Sequence, residues 1–494
     1  MTPRLQSTPT PPNRHAKQKA RAHAKTQRQR DEEQQRLEAL PITRPHAAGI
    51  DIGGRSHWVC VGFTADGSRS PLVREFPSHT DGLRQIVAYL REQHVTDVAL
   101  EATGVYWIAL LEILQQEKFD VILVDPSYTR QLRGRPKTDR KDAQWIYRLH
   151  SVGLLPAAFR PDEAVAVLRN YVRQRSTTVR QAGQCIQRMQ KALEQMNLKL
   201  TTVLDDITGH TGLRILQAIL RGTRDPQKLA AYRHQTCGRS AEEIAQALHG
   251  NYREEHVFAL RSAYEAWRFH QGQLDKVDAC IAAQLKKMAV QKDLPPLPAK
   301  TGRSGRKAND PRFDARAALY AAVGMDLTQL EGLSETTVLT LISEIGTDMS
   351  RFPSVKHFCS WLGLCPQWRK TGGKVKSSRT RPGPSRAATA LRLAAGSLHR
   401  SRSALGAYLR RMKSRLGKAA GITAAAHKLA RLLYWSLSKG LAYAQRTQES
   451  YEEDQRHRAR QRLEKQARRL GLEVVERSIA TTAEAPAAVV GARN

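Results

Sequence analysis

The hundred residues from Met349 to Gln448 contain no aspartate or glutamate, yet 21 lysines and arginines fall among them. An ordinary solvated surface mixes both signs, so this absence argues against a neutral partner and for a polyanion. The whole chain leans the same way: 80 Lys+Arg against 46 Asp+Glu give a net charge of +34 over 494 residues. Long apolar runs are also missing. None approaches the roughly 18 residues of a membrane span, and no apolar core follows the basic N-terminal residues, so neither a membrane partner nor a signal peptide is expected. The six cysteines (60, 185, 237, 280, 359 and 365) form no CxxC pair. That spacing excludes the common zinc sites and reads as reduced, mostly buried thiols of an intracellular protein.

Against this background four acids stand out. Asp51 lies in the apolar run AAGIDIGG, Glu101 in VTDVALEAT, and Asp139 and Asp142 in KTDRKDAQW. The first two sit on short β-like stretches, and the last two are spaced i, i+3 on a predicted helix. Two divalent cations a few ångströms apart need about this many carboxylates and can clamp a phosphodiester in line with its nucleophile. Bare carboxylates would repel the phosphates that so basic a chain attracts, so the combination points to metal-dependent chemistry on nucleic acid. Each acid also has a plainer reading. Asp51 alone could contact a nucleotide as in actin-like ATPases, Glu101 could favour the start of the next helix, and Asp139 and Asp142 could pair with Lys137, Arg140 and Lys141 on a solvated face. His57, His150 and His399 are isolated and read as packing or surface residues, and Trp58, Trp107 and Trp145 as core.

Residues 1–45, rich in Lys, Arg, Gln and Pro, are expected to be a disordered basic arm. In 46–160 three strands, the second and third joined by TADGS, precede alternating helix and strand. That is the order of a ribonuclease-H-like α/β domain. Residues 161–291 carry two heptad stretches, Leu168 to Leu200 and Val257 to Met288, with polar Arg175, Gln271 and Asp278 on the seams; they predict a helical coiled-coil spacer, paired within or between chains. A Pro/Gly-rich linker follows at 292–315. Residues 316–445 are expected to be helical, opening with a helix-hairpin-helix about Gly332–Leu333–Ser334 and interrupted by the polar loop QWRKTGGKVKSSRTRPGPSR. Residues 446–494 are expected to form a charged helix and a mobile tail.

Asp51, Glu101 and Asp139-x-x-Asp142, followed by a helical spacer, EGLSETTVLTLISEIG, RFPSVKHFCSWLGLCP and TGGKVKSS, resemble the DEDD transposases of the insertion sequence 110 family across roughly residues 46–445. The resemblance implies a RuvC-like domain binding magnesium, two ions, through the four acids. It implies a C-terminal transposase domain whose serine becomes covalently linked to DNA. It further implies a bacterial, cytoplasmic, nucleoid-associated protein working as a homodimer or tetramer, with domains of different subunits composing one site. Some members are guided by a structured RNA, which makes such an RNA a second candidate partner beside DNA. Where the family has a serine before GGK this chain has Thr371. Its hydroxyl can attack phosphorus, but its methyl restricts χ1. Three readings stay open: Thr371 attacks slowly, Ser377 or Ser378 attacks instead, or this copy has decayed. Arg369, Lys370, Lys374, Lys376, Arg379 and Arg381 are the candidate nucleic-acid contacts. Rival functions are a hydrolytic junction nuclease using the same acids and a decayed nucleic-acid-binding protein.

Overall fold

A computed structural model describes residues 40–62, 71–129, 138–289, 294–299, 307–381, 383 and 385–474. Residues 1–39 of the predicted arm, the TADGS turn, Lys137, parts of the linker and the tail beyond 474 lie outside this set. The chain divides into two units, Met1–Arg160 and Pro161–Asn494.

The first unit is built on a five-stranded mixed sheet. Its strands are β1 (Ala47–Ile52), β2 (Ser56–Val61), β3 (Leu72–Pro77), β4 (Asp97–Glu101) and β5 (Asp120–Val124), in the order β3-β2-β1-β4-β5. The first three pair antiparallel, whereas β4 and β5 run parallel to β1. This is consistent with the expected RuvC-like domain. Alternation along β1 sorts its side chains to two faces. Ala48, Ile50 and Ile52 pack with Val98 and Leu100 under α1 (Thr80–Glu92) and α2 (Trp107–Gln116). Ala47 faces the other way, against Ala143 and Tyr147 of α4 (Asp139–Ser151), and the short α3 (Pro126–Thr129) precedes that helix. Order begins before the expected residue 46: Thr43 and Arg44 both donate backbone N–H bonds to Ser151 O at 2.9 Å, and Arg44 pairs with Asp97 at 2.7 Å.

The second unit is mostly helical. Two long helices, α5 (Glu163–Gln195) and α10 (Glu254–Lys287), pack along each other within the chain. The four short helices between them are α6 (Leu200–Val203), α7 (His210–Leu220), α8 (Pro226–Ala230) and α9 (Ala241–Ala247). They close a core around Met189, Leu193, Ile215, Ile244 and Leu260. The polar seam residues are satisfied. Arg175 Nε meets Asp278 Oδ1 at 2.5 Å with both side chains buried, and Gln271 accepts from Arg312. Thr178 and Cys185 take buried positions of α5, while Val179 and Ile186 beside them are only half-buried.

Beyond the linker come α11 (Ala315–Val323), α12 (Glu335–Ile345), α13 (Val355–Trp361), a β6–β7 hairpin (Arg369–Thr371 and Lys374–Ser377), α14 (Arg386–Ser397), α15 (Ala404–Leu416), α16 (Lys418–Lys439) and α17 (Leu441–Arg469). Ser334 caps α12 as expected, accepting from Thr337 N at 3.2 Å. The stretch before Gly332, however, is only the 3-10 turn Leu327–Gln329. Asp326 takes that turn's N–H groups and an ion pair with Arg316, which leaves no length for a helix there. Arg173 grips Glu344 with two bonds of 2.8 and 2.7 Å, and Arg169 donates to the Ser343 and Glu344 carbonyls, so α5 satisfies the C-terminal end of α12.

The segment expected to be a polar loop is a β-hairpin. Gly372 and Gly373 both adopt positive φ, 56° and 74°, the signature of a two-residue type I′ turn that only small, permissive residues enter without strain. A residue pattern this basic hides the strand alternation, because both faces of the hairpin are solvated.

Candidate functional site: an acid cluster and a basic hairpin

The acid cluster is created by close packing of a helix on a strand. Gly49 has no side chain, and a Cβ there would come within 2.1 Å of Tyr147 N, so α4 lies directly on β1. One residue pair further along the parallel ladder from Ile50 and Leu100 come Asp51 and Glu101, at the strand ends. Ala99 packs against Ile146 and Leu149, which puts the face carrying residues 99 and 101 towards α4. Asp139 and Asp142 occupy the first turn of that helix, behind the cap Thr138, where the helix dipole favours negative charge.

Asp51 responds to its burial and to the other three acids. Burial first, then the charges of Glu101, Asp142 and Asp139, push the Asp51 carboxyl from its ordinary 3.8 up to about 7, against a backbone hydrogen bond with Ile52 that lowers it. Neither Arg140 nor Lys141 forms an ion pair among the described residues, so those two cations do not neutralise Asp139 and Asp142. Glu101 is oriented by a hydroxyl the sequence did not single out. Thr129 Oγ1 donates to Glu101 Oε2 at 2.8 Å, and Trp145 Nε1 donates to Thr129 O at 3.2 Å. Nothing local in the sequence marks Thr129. The strand-interior Gly49, by contrast, did carry a signal of close backbone approach.

Charge and donor type suit hard divalent cations, which take carboxylate oxygens and offset the burial and repulsion that raise Asp51. No group of three acidic, histidine or cysteine side chains among the described residues yet converges tightly enough to enclose an ion. The histidines stay outside this chemistry. His57 and His150 are buried, and burial lowers both, His150 to about 4.

The other candidate residues lie in the second unit. Thr371 pairs with Lys374 across the hairpin turn and is exposed. Ser377 is half-buried opposite Arg369, with its Oγ accepting from Arg379 N at 3.3 Å, while Ser378 is exposed. Lys370, Lys376, Arg379 and Arg381 complete the surrounding cations; Arg379 O accepts from Gln367 N at 2.9 Å, and a bridge joins Pro366 to Thr380. The FCSWLGLCP motif supports this platform from within. Phe358 and Cys359 are fully buried, Phe358 lies 5.7 Å from the Tyr434 ring, and the left-handed Gly363 turns the chain out towards the hairpin.

Clustered carboxylates at the ends of neighbouring parallel strands, in a chain with an acid-free cationic region, define an enzyme that acts on nucleic acid. The particular family follows from comparison with known proteins. Residues 48–198 match a transposase family, the DEDD transposases of IS110, and residues 324–410 match the transposase family of IS116, IS110 and IS902. No curated protein matches the chain. Over residues 48–198 and 324–410 the chain is thus an IS110-type transposase, an enzyme class that binds DNA and cuts and rejoins it.

Proposed function

We propose that the chain cuts and rejoins DNA by a metal-dependent route, with Asp51, Glu101, Asp139 and Asp142 as the ligands of two magnesium ions. The observation that carries this reading is the Asp51 carboxyl at the strand end beside Glu101, Asp142 and Asp139, raised to about 7 by burial first and by those three acids second, a combination that bound cations would offset. The ions, when bound, would supply Lewis-acid polarisation of the scissile phosphate. Thr129 and Trp145 would hold Glu101 in place, as outer partners do for ligating carboxylates.

Thr371 is the favoured nucleophile, with Ser377 and Ser378 as alternates. Its Oγ1 would bond to phosphorus while one strand oxygen departs, the hydroxyl proton ending on that oxygen; reversal rejoins the strand. Arg369, Lys370, Lys374 and Lys376 would stabilise charge on the phosphoryl oxygens. A junction nuclease would use water and leave no covalent adduct, so trapping a protein–DNA adduct on a nicked substrate separates the two. On the family resemblance we extend the reading to a homodimer or tetramer, to a guide RNA, and to the Leu168–Leu200 and Val257–Met288 helices as a coiled-coil strut. The domain limits we propose are 46–160, 161–291 and 316–445.

A further inference from the structure

One tryptophan stands apart from the other six. Trp58 packs beside Ala143 and Tyr147, Trp107 and Trp145 donate to backbone carbonyls, and Trp267, Trp361 and Trp435 each lie within 6.1 Å of another aromatic ring. Trp368 is 60 % exposed, and its ring makes no hydrogen bond, ring or cation contact among the described residues. Leaving so large an apolar surface in water forgoes about 25 cal/mol for every Å² that could have been buried. Its backbone is nevertheless anchored, because it directly precedes β6 and the neighbouring Gln367 N donates to Arg379 O at 2.9 Å. Val375, 49 % exposed, is the other apolar side chain presented by the hairpin. Around them stand Arg369, Lys370, Lys374 and Lys376, in a region with no acid at all.

We propose that Trp368 is a stacking platform for an unpaired base of the DNA strand held on the basic hairpin. A bare indole carried on a paired backbone among cations is the combination by which proteins hold single strands: the cations track the phosphates and the ring takes a base, whatever its sequence. Duplex DNA keeps its bases stacked on each other and offers the ring nothing. The platform therefore acts where the strands have parted, next to the hydroxyl at Thr371 three residues along the chain. This inference rests on the reading that the hairpin contacts DNA.

The test uses the full chain in EDTA, so that no cleavage occurs, with fluorescence anisotropy on a labelled DNA single strand, the matching duplex and the same sequence as RNA. Trp368→Ala is expected to weaken single-stranded DNA binding about 5- to 150-fold, with duplex affinity and salt slope unchanged and Trp368→Phe retaining most of the affinity. Wild-type affinity for the DNA single strand in Trp368→Ala overturns the proposal; so does an equal loss on duplex, or a loss confined to RNA. The double variant Lys370→Ala/Lys374→Ala separates this failure from that of the underlying reading. A lowered salt slope there, with Trp368→Ala inert, removes only the stacking; an unchanged slope removes the hairpin from the DNA interface and both readings with it.

Discussion

The two units solve opposite electrostatic problems. In the first, four acids gather at the ends of β1 and β4 and the start of α4, close enough that Asp51 rises to about 7. In the second, 21 cations between residues 349 and 448 face no acid in the same stretch. The acid cluster is bought with burial and close packing, half-hidden and tied to a sheet. The cations lie on an exposed hairpin and helix surfaces, where solvent screens their mutual repulsion. Chemistry on a phosphodiester needs a desolvated, preorganised place for charge to develop, whereas capture of the polymer needs only reach and counter-ion release. On the proposed reading the first unit supplies the acids that would hold metal, and the second supplies both the grip on the polymer and the attacking hydroxyl of Thr371.

The sharpest way to break this division is to remove a single acid. Asp51→Asn or Asp142→Asn should abolish strand transfer while DNA binding, by anisotropy, is unchanged or tighter, since a charge that repels phosphate is gone. Full activity in either variant, or in wild type with EDTA present, would sink the two-metal reading. Thr371→Ala should likewise eliminate the covalent adduct on gels without loss of binding, and Thr371→Ser should keep or raise activity. An adduct persisting in Thr371→Ala passes the role to Ser377 or Ser378.

Binding should carry the steepest salt dependence. For roughly 6–10 neutralised phosphates, affinity should fall about 10³- to 10⁵-fold between 50 and 200 mM salt, and replacing Lys370 and Lys374 should flatten the log–log slope by about two. Gly49→Ala sharpens the comparison from the other side. Its new methyl would collide with Tyr147 N, so α4 must lift from β1. A stability loss of about 1–3 kcal/mol or more is expected, with activity collapsing and binding by the second unit preserved. Unaltered melting and activity would mean that α4 does not need this approach.

The smallest effect is the pH signature of Asp51. Its folded value, about 7, lies above the ordinary 3.8. The folded state therefore keeps a proton that the unfolded chain releases, and the stabilisation present at acid pH is lost as pH rises through about 7. Added magnesium competes with that proton, so the melting-temperature gain it gives in differential scanning fluorimetry should be larger at about pH 8.5 than at about pH 5.5. A gain independent of pH would place the ions elsewhere.

Much was legible in the chain because it is written in local terms. Alternation and apolar runs mark the five strands, the i, i+3 spacing marks Asp139 and Asp142, and the missing acids mark the region that carries the hairpin. Other features had no local sign. The polar loop proved to be a hairpin because neither of its faces is buried, so no hydrophobic period betrays it. The first half of the expected helix-hairpin-helix shrank to a 3-10 turn because Asp326 is engaged by Arg316. Thr178 is buried and Val179 only half-buried because the packing of α5 against its neighbours, and not a strict heptad, sets which face is covered. Thr129 reaches Glu101 because α3 directly follows β5, whose last residue Val124 pairs with Glu101.

By itself the sequence determined the residue types, their periodicity and the balance of charge, since these depend on neighbours along the chain. That the carboxyls of Asp51, Glu101, Asp139 and Asp142 act on each other was decided only in three dimensions. A parallel crossover aligns two strand ends separated by 50 residues, and a glycine lets a helix descend onto them. Trp368 shows the same division: its place in the sequence was always visible, but that its ring alone among the tryptophans makes no hydrogen bond, ring or cation contact among the described residues is a property of the packed molecule.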